Sequence, residues 1–286
     1  MKIVPLAFDS MGARSMATYV ETKDLKLVID PAVSLAPNRF GLMPHPKEKK
    51  RMSEQWGEIK KRARASDALV ITHYHLDHYN PDEPGIYRGK QVFLKNPDVN
   101  INDSQAARSR GFIPKIEKIS KGIEFADGTE HSFGNTALKF SPPVFHGIDS
   151  KLGYVVEVFV DDGKERFLHT SDVEGPALDE QIAFILRANP TVVFLDGPLS
   201  YMLYKFGERA LERSLHNMLL IIDRTDVKKL VVDHHFLRDS EYRERISKVV
   251  KFGKEEGCKV ITAAEFAGKK VEPLETMRKA LYEKKG

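Results

Sequence analysis

The run ALVITHYHLDH, residues 68–78, limits what this chain can become more than any other stretch. Ala68 to Thr72 read as a buried strand, after which three histidines and an aspartate fall within six positions. In an extended segment alternate side chains share a face, so His73, His75 and Asp77 point one way as the strand runs out. His78 joins them once the chain turns. Imidazole and carboxylate suit zinc, manganese or iron. Four such groups on one loop exceed what a single catalytic ion with an open position needs, so the pattern points to two adjacent divalent metal ions, each completed from elsewhere. A strand end with solvated histidines is the bland alternative, and H-x-H-x-D-H directly after a buried strand weighs against it.

Cys258 is the only cysteine, so thiolates cannot build the cage and no intrachain disulfide can form. Cysteine usage fits a cytoplasmic protein, and the start, MKIVPLAFDSMG, lacks the apolar region of a signal peptide. No apolar stretch reaches the roughly 20 residues of a membrane span, so no membrane partner is expected. Charged residues make up 30% of the chain but leave a formal net charge of only +4, which does not require nucleic acid as a partner.

Alternating and branched-apolar runs predict strands at 3–8, 16–21, 25–30, 68–72, 91–95 and 116–120 in the first half, with a helix over 47–66. The second half predicts strands at 136–145, 152–160, 166–172, 191–198, 229–236 and 258–262. Helices are expected at 176–188, 203–222, 241–256 and 274–285. Strand-rich blocks followed twice by helices imply an α/β protein, an αββα sandwich of two mixed β-sheets with helices on the outer faces. No Pro- or Gly-rich gap divides it, so residues 1–286 read as one domain.

HYHLDH resembles the signature of the metallo-β-lactamase superfamily of metal-dependent hydrolases, and the remaining residues of that pattern occur in order. LKLVIDPAV supplies an early Asp30, which in the family buttresses the metal loop. PPVFHGIDS supplies His146, FLHTSDVEG supplies Asp172, and LVVDHHFLRD supplies His234 or His235. The resemblance spans residues 3 to about 236 and suggests archaeal kin. It implies one ion on His73, His75 and His146, and a second on Asp77, His78 and the late histidine, with Asp172 bridging. Aligning DHHFLR with the Thr-His-x-x-x-Arg form of the transfer-RNA-maturing branch favours His234, whereas the Gly-His form of other branches favours His235. We take His234 as the ligand, with His235 either supporting a ligand from behind or serving as a proton donor. His169 should face away from Asp172 by strand alternation, and His45, His131 and His216 have no ligand-like neighbours.

The implied chemistry is hydrolysis by a hydroxide shared between the two ions, Zn first, with Mn or Fe as alternatives. The bond is left open: an ester or phosphodiester of a small, anionic molecule is favoured. Arg14 in GARS (12–15) and Tyr201 after TVVFLDGP are candidate substrate-binding residues, and Arg108 and Arg110 are further candidate anion partners. Asp77 and His235 are the candidate catalytic residues. Too few residues separate Asp172 from His234 for the inserted domain of the RNA-cleaving branch with a clamp. Two other readings remain: a nuclease acting on RNA or DNA, for which the scattered charges speak poorly, and a catalytically silent metal-binding scaffold, which would have no need of an open two-metal cluster.

Overall fold

The computed structural model describes residues 1–283. Six strands form the first sheet in chain order: β1 (Lys2–Pro5), β2 (Thr18–Glu21), β3 (Lys26–Ile29), β4 (Ala68–Ile71), β5 (Gln91–Leu94) and β6 (Gly122–Phe125). β1 to β3 pair antiparallel and β3 to β6 parallel. Helix α1 (Pro46–Ala65) links β3 to β4, and α2 (Asp103–Glu117) links β5 to β6.

The second sheet draws on β7 (Glu130–Phe133), β8 (Thr136–Phe140), β11 (Val158–Asp161), β12 (Arg166–His169), β13 (Val192–Asp196), β14 (Lys229–Asp233) and β15 (Lys259–Ile261), and the pair β9 (Val144–Phe145) and β10 (Tyr154–Val155) stands apart from it. Its order is β15-β14-β13-β12-β11-β8-β7, parallel from β12 to β15 and antiparallel from β12 to β7. The remaining helices are α3 (Asp179–Ala188), α4 (Leu203–Phe206), α5 (Glu208–Arg224), α6 (Tyr242–Arg245), α7 (Ser247–Glu255), α8 (Ala263–Phe266) and α9 (Arg278–Glu283).

Strand alternation sorts the core into three layers. Leu27, Ile29 and Val70 of the first sheet meet Leu138, Val158 and Phe194 of the second between the sheets. The alternate residues Val28, Leu69 and Val92 pack outward on Ile59 and Ala63 of α1 and Phe112 and Ile116 of α2. On the far side Leu168, Val193 and Leu230 pack under Ile185 of α3, Met218 of α5 and Val249 of α7. The result is the expected αββα sandwich of two mixed sheets.

Several element boundaries differ from expectation. Residues 116–120 are not a strand. Ile116 lies one helical turn after Phe112, both are fully buried, and together they end α2 on the outer face of the sheet. The strands β6 and β7 beyond it carry few apolar residues, which hid them from a hydrophobicity pattern. The helix expected over 203–222 breaks at Gly207, whose φ of 85° ends α4 and starts α5. The 241–256 helix divides into α6 and α7. The terminal helix begins at Arg278, and the part predicted beyond residue 283 lies outside the described residues. Among the described residues no helix is long and apolar enough to cross a membrane.

Glu157, between β10 and β11, is fully buried, and neither carboxylate oxygen has a hydrogen-bond partner. Burial pushes its carboxyl well above the usual range, with Arg187 opposing. Below about pH 4 the group is neutral in folded and unfolded chains alike. Above that the unfolded chain ionises and the folded one does not, so stability is lost as pH rises toward the folded value. Glu157→Gln should therefore match the wild type at pH 4 and be more stable at pH 8 by about 1–3 kcal/mol, roughly 2–12 °C in melting temperature. Circular-dichroism melts at both pH values test this; equal melting temperatures at pH 8 would show that Glu157 carries no such penalty.

Candidate metal centre

Residues at or just beyond the ends of β3, β4, β12, β13 and β14 meet at one edge of the sandwich. Four of them, Asp30, Ser171, Glu174 and His234, hold left-handed backbone conformations with φ of 51°, 57°, 51° and 59°. Such conformations cost a non-glycine residue of order 1–3 kcal/mol and cluster where a site demands them. Here each one turns the chain sharply as a strand ends, or shortly after it.

Asp172 lies at the middle. Its Oδ1 is 3.0 Å from His78 Nε2, and its Oδ2 is 3.3 Å from His234 Nε2, 3.4 Å from His146 Nε2 and 3.6 Å from His73 Nε2. His73, His75, His146 and Asp172 form one set with ligand atoms within 4.8 Å of one another, and Asp77, His78 and His234 form a second. Asp77 closes the second set at 4.0 Å from His78 Nε2 and 3.8 Å from His234 Nε2.

The ring orientations come from their other nitrogens. His78 Nδ1 donates to Asp30 Oδ2 at 2.9 Å, while Asp30 Oδ1 accepts from the Thr72 backbone N–H at 2.9 Å. His234 Nδ1 donates to Asp9 Oδ2 at 2.7 Å, and Arg238 Nε donates to Asp9 Oδ1 at 2.9 Å. Burial raises the Asp9 carboxyl, but Arg238 and His234 outweigh it and hold Asp9 ionised. His73 Nδ1 lies 3.2 Å from Thr72 Oγ1. Each arrangement turns an Nε2 inward.

His234 Nε2 has Arg238 Nη2 at 3.3 Å, but most of the other inward atoms are left without partners. His73 Nε2, His78 Nε2, both nitrogens of His146 and Asp172 Oδ1 are buried and make no hydrogen bond. An unpaired buried polar atom costs about 1–3 kcal/mol, and a protein rarely collects several at one point unless something else binds them. The donor set of imidazole and carboxylate is that of Zn, Mn or Fe, so these residues fit a metal site.

Both late histidines reach this edge, although neighbours on a strand would face opposite ways. The strand expected through Phe236 stops at Asp233, and residues 234–238 form a 3₁₀ turn. The rings of His234 and His235 consequently lie 4.4 Å apart on the same side. His234 faces Asp77 and Asp172. His235 Nδ1 sits 2.9 Å from Asp196 Oδ2, and its Nε2 is 3.8 Å from Glu174 Oε1.

Archaeal UPF0282 proteins align with nearly the whole chain. The chain is 52% identical to the UPF0282 protein of Korarchaeum cryptofilum over 99% of this chain and 95% of that one. It is 40% identical to that of Methanocaldococcus jannaschii over 100% and 98%. The chain belongs to the UPF0282 family. The archaeal kinship expected from the sequence holds. No family model matches it. Among solved structures it is similar to the metallo-β-lactamase fold protein YhfI from Bacillus subtilis, with a TM-score of 0.53 at 14% identity over 91% of this chain and 94% of that one. It is also similar to yeast PDE1, with a TM-score of 0.52 at 12% identity over 91% and 96%. The protein thus has the metallo-β-lactamase fold.

The candidate substrate residues fare differently. Tyr201 lines a cavity of about 570 Å³ together with His146, Glu174 and His235. Arg14 is absent from that wall; its guanidinium grips Glu275 at 2.6 and 2.7 Å. Arg108 donates to the Tyr74 carbonyl at 3.1 Å and supports the histidine loop from behind. His169 is buried, facing the Met16 carbonyl through Nε2 at 2.9 Å and accepting from Ser171 N–H through Nδ1 at 3.1 Å. It fixes the turn that leads into Asp172. His45 caps α1, and His216 is exposed. Sequence reasoning missed Asp9 and Glu174. Asp9 offered no signal, because its partners His234 and Arg238 lie more than 220 positions away.

Asp30→Ala would strand the Thr72 N–H and His78 Nδ1–H in a fully buried position. The expected loss is about 2–4 kcal/mol, roughly 4–15 °C in melting temperature. Melts in the presence of a chelator measure it apart from any bound ion, and a change under one degree would refute the buttressing role.

Proposed function

We propose that this protein is a metal-dependent hydrolase that cleaves an ester or phosphodiester bond of a small molecule, and that the catalytic unit is a single domain. The convergence of the unpaired Nε2 atoms of His73, His78 and His146 on Asp172 carries this reading. His73, His75 and His146 would hold one divalent ion and Asp77, His78 and His234 the other, with Asp172 between them. Zn is the first choice, with Mn and Fe compatible with the same donors. When bound, such a pair supplies Lewis acidity toward the scissile group and a water of lowered pKa.

The chain's own groups do the rest. Asp30 and Asp9 fix which nitrogen of His78 and His234 faces inward. Arg238, buried beside Asp9 and 3.9 Å from Asp77, offsets the carboxylate charge of that half. His235, steadied by Asp196, presents Nε2 to the cavity; burial holds the ring well below the usual imidazole range, so in its neutral form it can accept a proton there. Asp77 keeps 17% of its side chain open to solvent, which suits a group that meets water or substrate. Glu275 neutralises Arg14 away from the cavity wall, which takes up one cation proposed for a nucleic-acid substrate and supports the small-molecule reading over RNA or DNA.

Elemental analysis of protein purified without chelator should give close to two transition-metal ions per chain; a single ion at saturating zinc would overturn the two-ion reading. His234→Ala should lose one ion. His235→Ala should keep both and lower kcat by about 10²–10⁴. The reverse pattern would exchange the roles of the pair. For activity, bis(p-nitrophenyl) phosphate, a lactone, a thioester and labelled RNA are compared with added Mn or Zn. Hydrolysis should vanish with chelator and in Asp77→Ala. Binding of both ions without turnover of any substrate would support the scaffold reading.

A further inference from the structure

The cavity beside the histidine cluster carries a second kind of information. His146, Glu174 and His235 form its inner wall, and the rest of its lining includes Ile148, Leu152, Leu199, Met202 and Phe206. Two of these, Ile148 and Leu152, leave 36% and 42% of their surface open. Exposed aliphatic side chains gathered in a concave wall next to convergent polar groups are the composition of a small-ligand pocket, and about 570 Å³ lies in the usual size range. Four of the twelve lining residues are charged, two of each sign: Asp149, Glu174, Lys151 and Lys205. Lys151 is paired with Asp149 at 2.8 Å, which leaves Lys205 as the unpaired one of the wall's two lysines. A polyanion would find little to bind here, whereas an apolar group would cover Ile148 and Leu152.

We infer that the substrate carries a compact apolar acyl, alkyl or aryl group beside its scissile bond, and that Leu152 and Met202 set its preferred size. This rests on the hydrolase reading and narrows its substrate class. The apolar group lies along the Ile148–Leu152 and Leu199–Phe206 segments, and the scissile group lies toward His146 and His235. The loop after His146 and the short helix α4 are thereby specificity elements, while the metal ligands come from the strand ends.

Metal-loaded protein is tested with p-nitrophenyl acetate, butyrate, hexanoate and octanoate, and with p-nitrophenyl alkylphosphonates of matching chain length, so that bond type and chain length vary separately. KM should fall about two- to fourfold per methylene in whichever series is cleaved, until the pocket is full. Calorimetric titration with acetate through octanoate gives a readout independent of turnover and should show the same gradient. Leu152→Glu should flatten both gradients, and Leu152→Met should retain them. Cleavage without any dependence on chain length would overturn the inference and leave the hydrolase reading standing. A full gradient in Leu152→Glu would also overturn it. If neither series is cleaved with both ions bound but the carboxylate gradient persists and Leu152→Glu abolishes it, the hydrolase reading fails and the apolar pocket stands. RNA cleaved faster than every ester would overturn the substrate class.

Discussion

The carboxylate of Asp172 is the contact on which this architecture turns. It is almost wholly buried, and four imidazole Nε2 atoms stand within 3.6 Å of its two oxygens. Two of those rings come from the loop after β4 in the first sheet, one from the segment after β9, and one from the turn after β14 in the second sheet. The shared carboxylate therefore joins the two sheets at one edge. Burial alone would raise its pKa, and the surrounding imidazoles reverse that, holding it well below the usual carboxylate range. An isolated charge at that depth would be prohibitive, so the cluster is held by mutual need among its members.

The fold makes such a cluster affordable by placing it where regular structure ends. Between the sheets the strands bury mainly apolar side chains, with Thr18, Thr136 and His169 hydrogen-bonded among them, and their backbone groups are paired in the ladders. Polar chemistry begins one or two residues later, where the chain is free to leave the pleat. The left-handed conformations of Asp30, Ser171, Glu174 and His234 are the means of leaving it. In His234 that conformation also cancels the two-residue period, and this is why adjacent histidines share a face.

The sandwich and the histidine loop were legible in the sequence because both follow local rules. Buried strands write short apolar runs, and four ligand-type residues within six positions need no tertiary information to be noticed. Asp172 and His146 were legible as members of an ordered family pattern. What stayed hidden depends on contacts across the chain. Asp9 orients His234, and Asp196 orients His235, only because strand ends far apart in sequence meet in space. The strand run of 116–120 was misread because IEKIS alternates in isolation, while the burial of Phe112 and Ile116 on one helix face decides its conformation. The partner of Arg14 stayed hidden for the same reason, since nothing near GARS reveals a glutamate at position 275.

Glycine 147 shows how closely the metal edge and the cavity are fitted together. It follows His146, has a φ of 81°, and an added Cβ would stand 2.5 Å from Glu174 Oε2. Glu174 itself is held by its backbone N–H donating to Asp196 Oδ2 at 2.8 Å, the same carboxylate oxygen that lies 2.9 Å from His235 Nδ1. Gln181 of α3 then donates to the carbonyls of Phe145 and Gly147 at 3.0 and 2.7 Å, anchoring the loop on both sides of His146. A chain of close contacts thus runs from α3 through the His146 loop and Glu174 to Asp196 and His235. Because packed contacts of this kind yield little to deformation, the inner wall of the cavity moves only if the histidine cluster moves with it. The outer wall is tied in as well: the Leu152 carbonyl accepts from Gln105 Nε2 at 2.6 Å, and Gln105 Oε1 accepts from the Tyr74 N–H at 3.0 Å, between His73 and His75.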